Sequence, residues 1–168
     1  IDVGCAEGYY AVGLAMRKPN AIVYAYDINE EALAACKKMA ILNKVDNHIR
    51  FETFCSPDTL SKFDFSKRSL VLCDCEGYEM ELFTKDAVNN LKNCDVLVEM
   101  HDLYNERISP TVEAAFANTH NATEIYSQNT FKKMAQLGMR GSLTDDQGQT
   151  FFTERNGIMK WVVFTPKI

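Results

Sequence analysis

The sequence lacks both an excess of basic residues and any long apolar run. Lysine and arginine together number 18, against 23 aspartates and glutamates, which gives a net charge of -5. Because nucleic-acid-binding domains usually present a basic face, we expect no nucleic-acid partner. A membrane-spanning helix needs about 18 or more consecutive apolar residues. The sequence contains no such run, so we expect no membrane partner either.

Paired cysteine spacings are also missing. The six cysteines include no C-x-x-C pair, which argues against a zinc site, and a disulfide framework is not expected in a chain of 168 residues. We therefore predict reduced thiols and a cytoplasmic location. The length is that of one domain, residues 1–168. The chain begins with Ile1 inside a strand-like stretch, so we expect a further segment upstream of the first strand.

Strand-like and helix-like patterns alternate along the chain. Asn29 is a good helix cap at the start of one helical stretch, and a further helix is predicted from Tyr78 to about Asn93 on an apolar stripe. Residues 138–149 read as a loop or hairpin. This alternation predicts βαβ units and a doubly wound, mostly parallel α/β sheet. The predicted strands cover residues 1–3, 21–27, 49–54, 69–74, 95–100, 122–127 and 158–166.

The first strand runs into a glycine-bearing turn, "IDVGCAEGYY". Gly4 and Gly8 allow a ligand to approach the backbone closely, and Asp27 ends the next strand, where an acid can bind both ribose hydroxyls. Asp2 and Glu7 would repel a pyrophosphate at the start of the helix. The pattern therefore indicates an adenosine cofactor without phosphates and with positive charge, which describes S-adenosylmethionine. The alternatives are an NAD-dependent oxidoreductase and a turn that simply requires small residues.

Three acids crowd the stretch "LCDCEGYEMELF". Asp74 ends a buried strand and Glu76 lies in the loop that follows, whereas Glu79 is either part of the same site or a helix-start acid favoured by the helix dipole. Carboxylates are costly inside a core unless they are paired or functional. Cys73 and Cys75 alternate with Asp74, so we expect the two thiols to face the core and Asp74 to face the other way.

His101 follows another buried strand and is the candidate general base, since its ordinary pKa suits proton removal near neutral pH. A structural histidine is the alternative interpretation. His48 and His120 lie in polar, loop-like stretches and are taken as incidental. A divalent metal such as Mg²⁺ is a further option, although not the favoured one. Its ligands would come from Asp74, Glu76, Glu99, His101 and Asp102.

Several motifs carry a family resemblance. "DVGCAEGYY" followed by "YAYDIN" resembles the first two motifs of class I S-adenosylmethionine-dependent methyltransferases. "DCEGYEMELF" is similar to the D-x-E-G-x-E segment of the FkbM-like methyltransferases, and "LVEMHD" resembles the E-x-H strand end of that family. The resemblance covers about residues 1–102. It implies a Rossmann-like, seven-stranded sheet with helices on both faces and an antiparallel last strand.

The resemblance also implies roles for single residues. The cofactor would lie along the carboxyl ends of the strands, and the acceptor would be the hydroxyl of a small molecule or sugar, with His101, Asp74 and Glu76 as catalytic residues. A non-catalytic module that binds an adenosine cofactor is a second alternative. The implied cofactor contacts are Asp2, Gly4, Ala6 and Gly8 along the methionine part, Asp27 at the ribose, Ile28, Cys55 and Ser56 at the adenine, and Asp74 beside the methyl group. Tyr9, at the start of the helix after the glycine turn, is a further candidate contact.

Overall fold

The computed structural model describes residues 1–128, 130–139, 141–152 and 157–167. Within these residues the chain forms one seven-stranded sheet flanked by helices. The strands are β1 (Asp2–Val3), β2 (Val23–Tyr26), β3 (Ile49–Glu52), β4 (Leu70–Cys73), β5 (Asp95–Met100), β6 (His120–Tyr126) and β7 (Lys160–Pro166). The helices are α1 (Tyr9–Arg17), α2 (Glu30–Leu42), α3 (Pro57–Lys62), α4 (Glu79–Leu82), α5 (Lys85–Asn90), α6 (Ile108–Phe116), α7 (Thr130–Gln136) and α8 (Asp145–Phe152).

The strand order is β3-β2-β1-β4-β5-β7-β6. Strands β1 to β5 pair in parallel, and β7 runs antiparallel to both β5 and β6. The predicted doubly wound sheet with an antiparallel last strand is therefore confirmed. Because the chain winds outward in both directions from β1 and β4, a crevice opens at the carboxyl ends of these two strands.

Helices cover both faces of the sheet. Val23 and Ala25 of β2 pack with one group of buried residues, whereas Tyr24 and Tyr26, on the opposite side of the same strand, pack with the other. The first group contains α1 and α2, and the second contains α3, α4, α5 and α6. Among the described residues, no helix is both long and apolar enough to cross a membrane.

The predicted helix over residues 78–93 is wrong in one respect, because the structure divides it into α4 and α5. Thr84 lies at the break and caps α5, its hydroxyl accepting a hydrogen bond from the Ala87 N–H. A threonine side chain that bonds the backbone in this way favours a helix start over a helix interior. The predicted apolar stripe of Met80, Phe83, Ala87 and Leu91 still faces the core, since the last three are buried and Met80 is partly buried against the same core.

The loop or hairpin predicted for residues 138–149 also differs from the structure, because α8 begins inside it at Asp145. Thr144 and Gln147 exchange hydrogen bonds, with the Gln147 N–H donating to the Thr144 hydroxyl and the Thr144 N–H donating to Gln147 Oε1. This reciprocal capping box is a helix-start signal that could have been found in the sequence. Residue 140 of the predicted loop lies outside the described residues.

His120 is not an incidental loop residue, which corrects the sequence interpretation. It opens β6 and is buried, with Nε2 3.0 Å from the Cys94 carbonyl oxygen and Nδ1 2.8 Å from the Thr119 hydroxyl. Burial lowers the pKa of His120 below its ordinary value. The side chain therefore has a structural role at the far edge of the sheet. His48 ends a short 3-10 turn and is partly exposed.

Candidate functional site

A cleft of about 370 Å³ opens at the carboxyl ends of β1, β2, β3 and β4. Its volume lies in the range of small-molecule sites, which is roughly 300–1,000 Å³. The predicted residues Gly4, Ala6, Asp27, Ile28, Cys55, Asp74 and Glu76 line it, together with Val3, Tyr26, Thr53, Phe54, Cys75 and Tyr78.

The glycine turn is fixed against the end of β4. Gly4 has a φ of 81°, and a Cβ there would lie 1.8 Å from the Asp74 carbonyl oxygen. Gly8 caps α1 with a φ of 96°, and its Cβ would lie 2.6 Å from Cys36 Sγ. Both glycines are therefore required for close packing of the turn as well as for its backbone conformation.

Asp27 joins the glycine turn to the end of β2. The Ala6 N–H donates to Asp27 Oδ2 at 2.7 Å, and the Asn29 N–H donates to Oδ1 at 2.8 Å. Asn29 in turn accepts hydrogen bonds from Glu31 and Ala32, which confirms it as the predicted cap of α2. Each carboxylate oxygen can accept more than one hydrogen bond, so Asp27 retains capacity for ligand hydroxyls.

Asp2 lies behind the cleft rather than in its wall. It is fully buried, and neither carboxylate oxygen has a hydrogen-bond partner among the described residues. Burial raises the pKa of Asp2 to about 7, and the negative charges of Asp74 and Asp27 act in the same direction. A buried carboxylate without a hydrogen-bond partner is costly when it is charged, so a cation bound nearby would favour the ionised form of Asp2.

Three further predicted contacts do not line the cleft. Gly8 packs under α1, Tyr9 is 78% exposed on the first turn of that helix, and Ser56 caps α3 by accepting a hydrogen bond from the Thr59 N–H. Ile28 lines the cleft and is 79% exposed, at its rim.

Two aromatic residues that the sequence interpretation missed lie next to each other at the cleft. The rings of Phe54 and Tyr78 are 5.7 Å apart, and both line the cleft. Each follows a strand end on the same edge of the sheet, which is the signal that could have identified them. Cys75 also lines the cleft instead of belonging entirely to the core, although its Sγ lies 3.3 Å from that of buried Cys73, on the predicted common side.

His101 is the centre of a polar cluster that includes the cleft residues Asp74 and Glu76. The imidazole Nδ1 lies 2.6 Å from Glu79 Oε1, and both side chains are almost completely buried. The opposite ring nitrogen, Nε2, lies 3.5 Å from Asp74 Oδ1 and 3.5 Å from Glu76 Oε2. Glu79 thus belongs to this cluster, although it is also the first residue of α4.

The charges of this cluster shift the pKa values of both His101 and Glu79. Burial acts to lower the pKa of His101, but the hydrogen bond to Glu79 and the negative charges of Glu79, Asp74 and Glu76 together raise it above the ordinary value. Burial is the largest single influence and acts to raise the pKa of Glu79, but the hydrogen bond and positive charge of His101, together with the backbone N–H groups of Glu79 and Gly77, lower it below its ordinary value. An ionised carboxylate only accepts hydrogen bonds, so the Nδ1 that faces Glu79 carries a proton. The opposite ring nitrogen, Nε2, faces the carboxylates of Asp74 and Glu76.

The loop after β4 aims Glu76 at the histidine through an unusual backbone turn. Glu76 has a φ of 55° and Gly77 a φ of 107°, both in the left-handed region. The Gly77 N–H donates to Glu79 Oε1 at 3.3 Å. A non-glycine residue in this conformation costs roughly 1–2 kcal/mol, and such strain is concentrated at functional sites.

Of the five candidate metal ligands, four acids and one histidine, three meet in space. One potential ligand atom each from Asp74, Glu76 and His101 lie within 4.8 Å of one another. Asp102 is directed instead to the start of α6, where it accepts hydrogen bonds from the Ser109 N–H and hydroxyl at 2.9 and 2.6 Å. Glu99 is buried on β5 and does not join the three.

Comparison with known proteins agrees with this architecture. The chain is 30% identical over 132 residues to a release factor glutamine methyltransferase of Flavobacterium psychrophilum. The alignment covers 75% of this chain and 44% of that protein, so the chain spans less than half the length of that relative. The O-methyltransferase TomG from Streptomyces achromogenes, solved in complex with SAM, is a structural neighbour with 13% identity and a TM-score of 0.62 over 98% of this chain and 71% of that one. A SAM-dependent methyltransferase from Geobacter sulfurreducens gives 12% identity and a TM-score of 0.56 over 99% and 83%.

At these identities the solved structures show the fold alone. The family match rests on the sequence itself, because residues 1–147 match the family described as a methyltransferase domain. This match covers most of the sheet and every residue of the cleft described above. The chain therefore belongs to the methyltransferase-domain family.

Proposed function

We propose that this protein transfers a methyl group from S-adenosylmethionine to an oxygen acceptor, the hydroxyl of a small molecule or a sugar. The observation that carries the proposal is the arrangement of the cleft. Asp27 lies on one part of its wall, and Asp74 and Glu76 lie on another, next to buried His101. The relatives differ in acceptor, so the choice of oxygen rests on this arrangement.

The chemistry of the cleft fits this cofactor. Asp27, Asp74 and Glu76 place carboxylates along a cavity with otherwise apolar and aromatic walls, and the unpaired carboxylate of Asp2 lies behind the glycine turn. Such a site favours a ligand with positive charge and disfavours a pyrophosphate, because like charges repel. This argues against the NAD-dependent oxidoreductase.

Each part of the cleft wall has a proposed contact with the cofactor. The backbone at Gly4 and Ala6 would approach the methionine part, while Asp27 would accept hydrogen bonds from the ribose hydroxyls. Ile28, Phe54 and Cys55 would contact the adenine. When bound, the cofactor supplies a methyl group on a positively charged sulfur, and the protein contributes mainly by alignment, which can supply several kcal/mol of the barrier reduction.

His101 has the geometry of a group that receives the acceptor's proton. Glu79 fixes the ring through Nδ1, and Nε2 faces Asp74 and Glu76, which both reach the cleft. A buried carboxylate and histidine rarely stabilise a fold more than apolar residues of the same volume would. Their presence beside the cleft favours an enzyme over a module that only binds the cofactor.

The FkbM-like assignment remains a prediction. It is supported by the way the two motifs behind it meet: Asp74, Glu76 and Glu79 of "DCEGYE" all surround His101 of "LVEMHD". Glu79 and His101, which are 22 residues apart in sequence, therefore meet in one cluster.

Calorimetry with the purified protein tests the cofactor assignment. We expect saturable binding of S-adenosylmethionine and of its demethylated product, and much weaker binding of NAD. A folded sample that binds NAD but neither form of the methyl donor would overturn the proposal.

A further inference from the structure

We propose that Asp74 Oδ1, Glu76 Oε2 and His101 Nε2 form a binding site for a divalent cation of the Mn²⁺ or Zn²⁺ type. The proposal of the binding site depends only on the geometry of these three residues, whereas the role of the ion in catalysis rests on the proposed methyl transfer. Carboxylate oxygens suit Mg²⁺ and Mn²⁺, and imidazole suits Zn²⁺ and other transition metals. The mixed donor set therefore favours Mn²⁺ or Zn²⁺ over Mg²⁺.

The two distances from Nε2 to the carboxylate oxygens fit ligands that share an ion better than they fit direct hydrogen bonds. Nε2 lies 3.5 Å from each of the two carboxylate oxygens, and the three atoms lie within 4.8 Å of one another. A hydrogen bond to nitrogen is shorter, at roughly 2.7–3.2 Å. Ligands that each lie about 2.1 Å from a tetrahedral ion are separated from one another by about 3.4 Å.

The second ring nitrogen provides an independent observation. The His101 side chain is 1% exposed, and its Nε2 has no hydrogen-bond partner in the part of the chain that the structure describes. Glu79 holds Nδ1 at 2.6 Å, and the ring stacks on Tyr104 with an interplanar angle of 3°. Metal-binding histidines are commonly oriented in this way, with a carboxylate on the nitrogen that does not bind the metal.

The site also has an open side. The side chains of Asp74 and Glu76 are 23% and 55% exposed, and both line the cleft. Three protein ligands with a free position for water or substrate are typical of a catalytic rather than a structural metal site.

An ion in this position would act on the acceptor hydroxyl. A coordinated hydroxyl loses its proton more readily, so the O–H bond would break with release of the proton to solvent. The oxygen would then form a bond to the methyl carbon as the carbon–sulfur bond breaks and its electron pair returns to sulfur. In this arrangement His101 contributes as a ligand rather than as the direct proton acceptor.

Binding of the metal alone tests the site without any need for turnover. The purified protein is treated with a chelator, and Mn²⁺ is titrated with detection by electron paramagnetic resonance, with Zn²⁺ and Mg²⁺ in parallel calorimetry. We expect one saturable site per chain, weaker for Mg²⁺. Asp74→Asn and Glu76→Gln should each weaken Mn²⁺ binding about tenfold or more. Glu81→Gln, an exposed acid on α4 outside the cluster, should leave it unchanged.

Equal Mn²⁺ affinity in Glu76→Gln, Glu81→Gln and the unaltered protein would overturn the site, as would the absence of saturable binding in a folded sample. Glu76→Gln is the decisive variant, because a half-exposed side chain can be changed without unfolding the protein. The same samples are tested for S-adenosylmethionine binding. If the cofactor binds and the ions do not, the cation site alone fails; if the ions bind and the cofactor does not, the proposed methyl transfer fails.

Discussion

Glu79 and His101 form a hydrogen bond of 2.6 Å between Oε1 and Nδ1, at a point where neither side chain reaches solvent. Glu79 begins α4, and His101 directly follows β5. Ion pairs of this kind are expensive to bury and are strongly destabilising when one partner is removed. The pair therefore fixes the orientation of the ring, and Nε2 is directed at Asp74 and Glu76 as a consequence.

Replacing Glu79 by glutamine tests this orienting role. Glutamine can still accept the hydrogen bond from Nδ1, but it removes the charge, so we expect turnover to fall about tenfold to a hundredfold. Affinity for the methyl donor should change less than about twofold, because Glu79 does not line the cleft. Steady-state kinetics and calorimetry measure the two effects, with Glu81→Gln as the matched control. Equal losses of turnover and cofactor affinity would indicate a structural role alone.

Asp27→Ala tests the ribose assignment. The change removes the acceptor for the ligand hydroxyls and for the Ala6 and Asn29 backbone N–H groups. We expect affinity for S-adenosylmethionine to fall by about 1–3 kcal/mol, the scale of a hydrogen bond to a charged group. Asn29→Ala is the control, since it removes the cap of α2 and costs about 1 kcal/mol of folding stability without touching the cleft. Unchanged affinity in Asp27→Ala would place the ribose elsewhere.

Two glycine substitutions separate packing from backbone entropy. Gly4→Ala places a Cβ 1.8 Å from the Asp74 carbonyl oxygen at a φ of 81°, so we expect a loss of about 3 kcal/mol or more in the free energy of unfolding. Gly13→Ala lies in α1 with nothing within 4 Å of its Cβ, and it should stabilise the fold by roughly 0.5–1 kcal/mol. Chemical denaturation measures both. A Gly4→Ala protein as stable as Gly13→Ala would show that the glycine turn is not packed as described.

His120 gives the folded protein a specific dependence on pH. Burial lowers its pKa below the ordinary value of 6.5, against the hydrogen bonds to the Cys94 and Leu91 backbone and the charge of Asp95, which act to raise it. The unfolded chain therefore binds a proton at a higher pH than the folded chain does. The contribution of His120 to stability is present above about pH 6.5 and is lost as pH falls from there through the folded pKa.

Comparison with His120→Gln isolates this contribution from the other histidines. The free energy of unfolding of the unaltered protein, minus that of the variant, should decrease between about pH 7 and pH 5. Denaturation curves at a series of pH values measure the difference. A difference that grows as pH falls would mean that folding raises the pKa of His120 instead.

The order of elements and the glycine turn could be predicted because both depend on local patterns. Alternation of apolar strands with capped helices, such as the one that Asn29 begins, indicates a parallel sheet, and parallel strands place Gly4, Asp27 and Asp74 at one edge. The helix starts at Thr84 and Thr144 could not be predicted in the same way, because a threonine can either continue a helix or cap the next one. The choice depends on which backbone groups remain to be satisfied, and packing decides that.

The residues of the polar site also divide into those that the sequence predicts and those that only the tertiary structure brings together. The sequence by itself determined which side chains reach the carboxyl ends of the strands: Asp27, Asp74 and His101 each follow a strand, and strand direction is a local property. Tertiary structure alone decided that Glu79 pairs with His101, that Asp102 turns toward Ser109, and that Asp2 is buried without a partner. These outcomes depend on ångström-scale distances between separate elements, and the energy of a polar group changes most steeply with distance and burial.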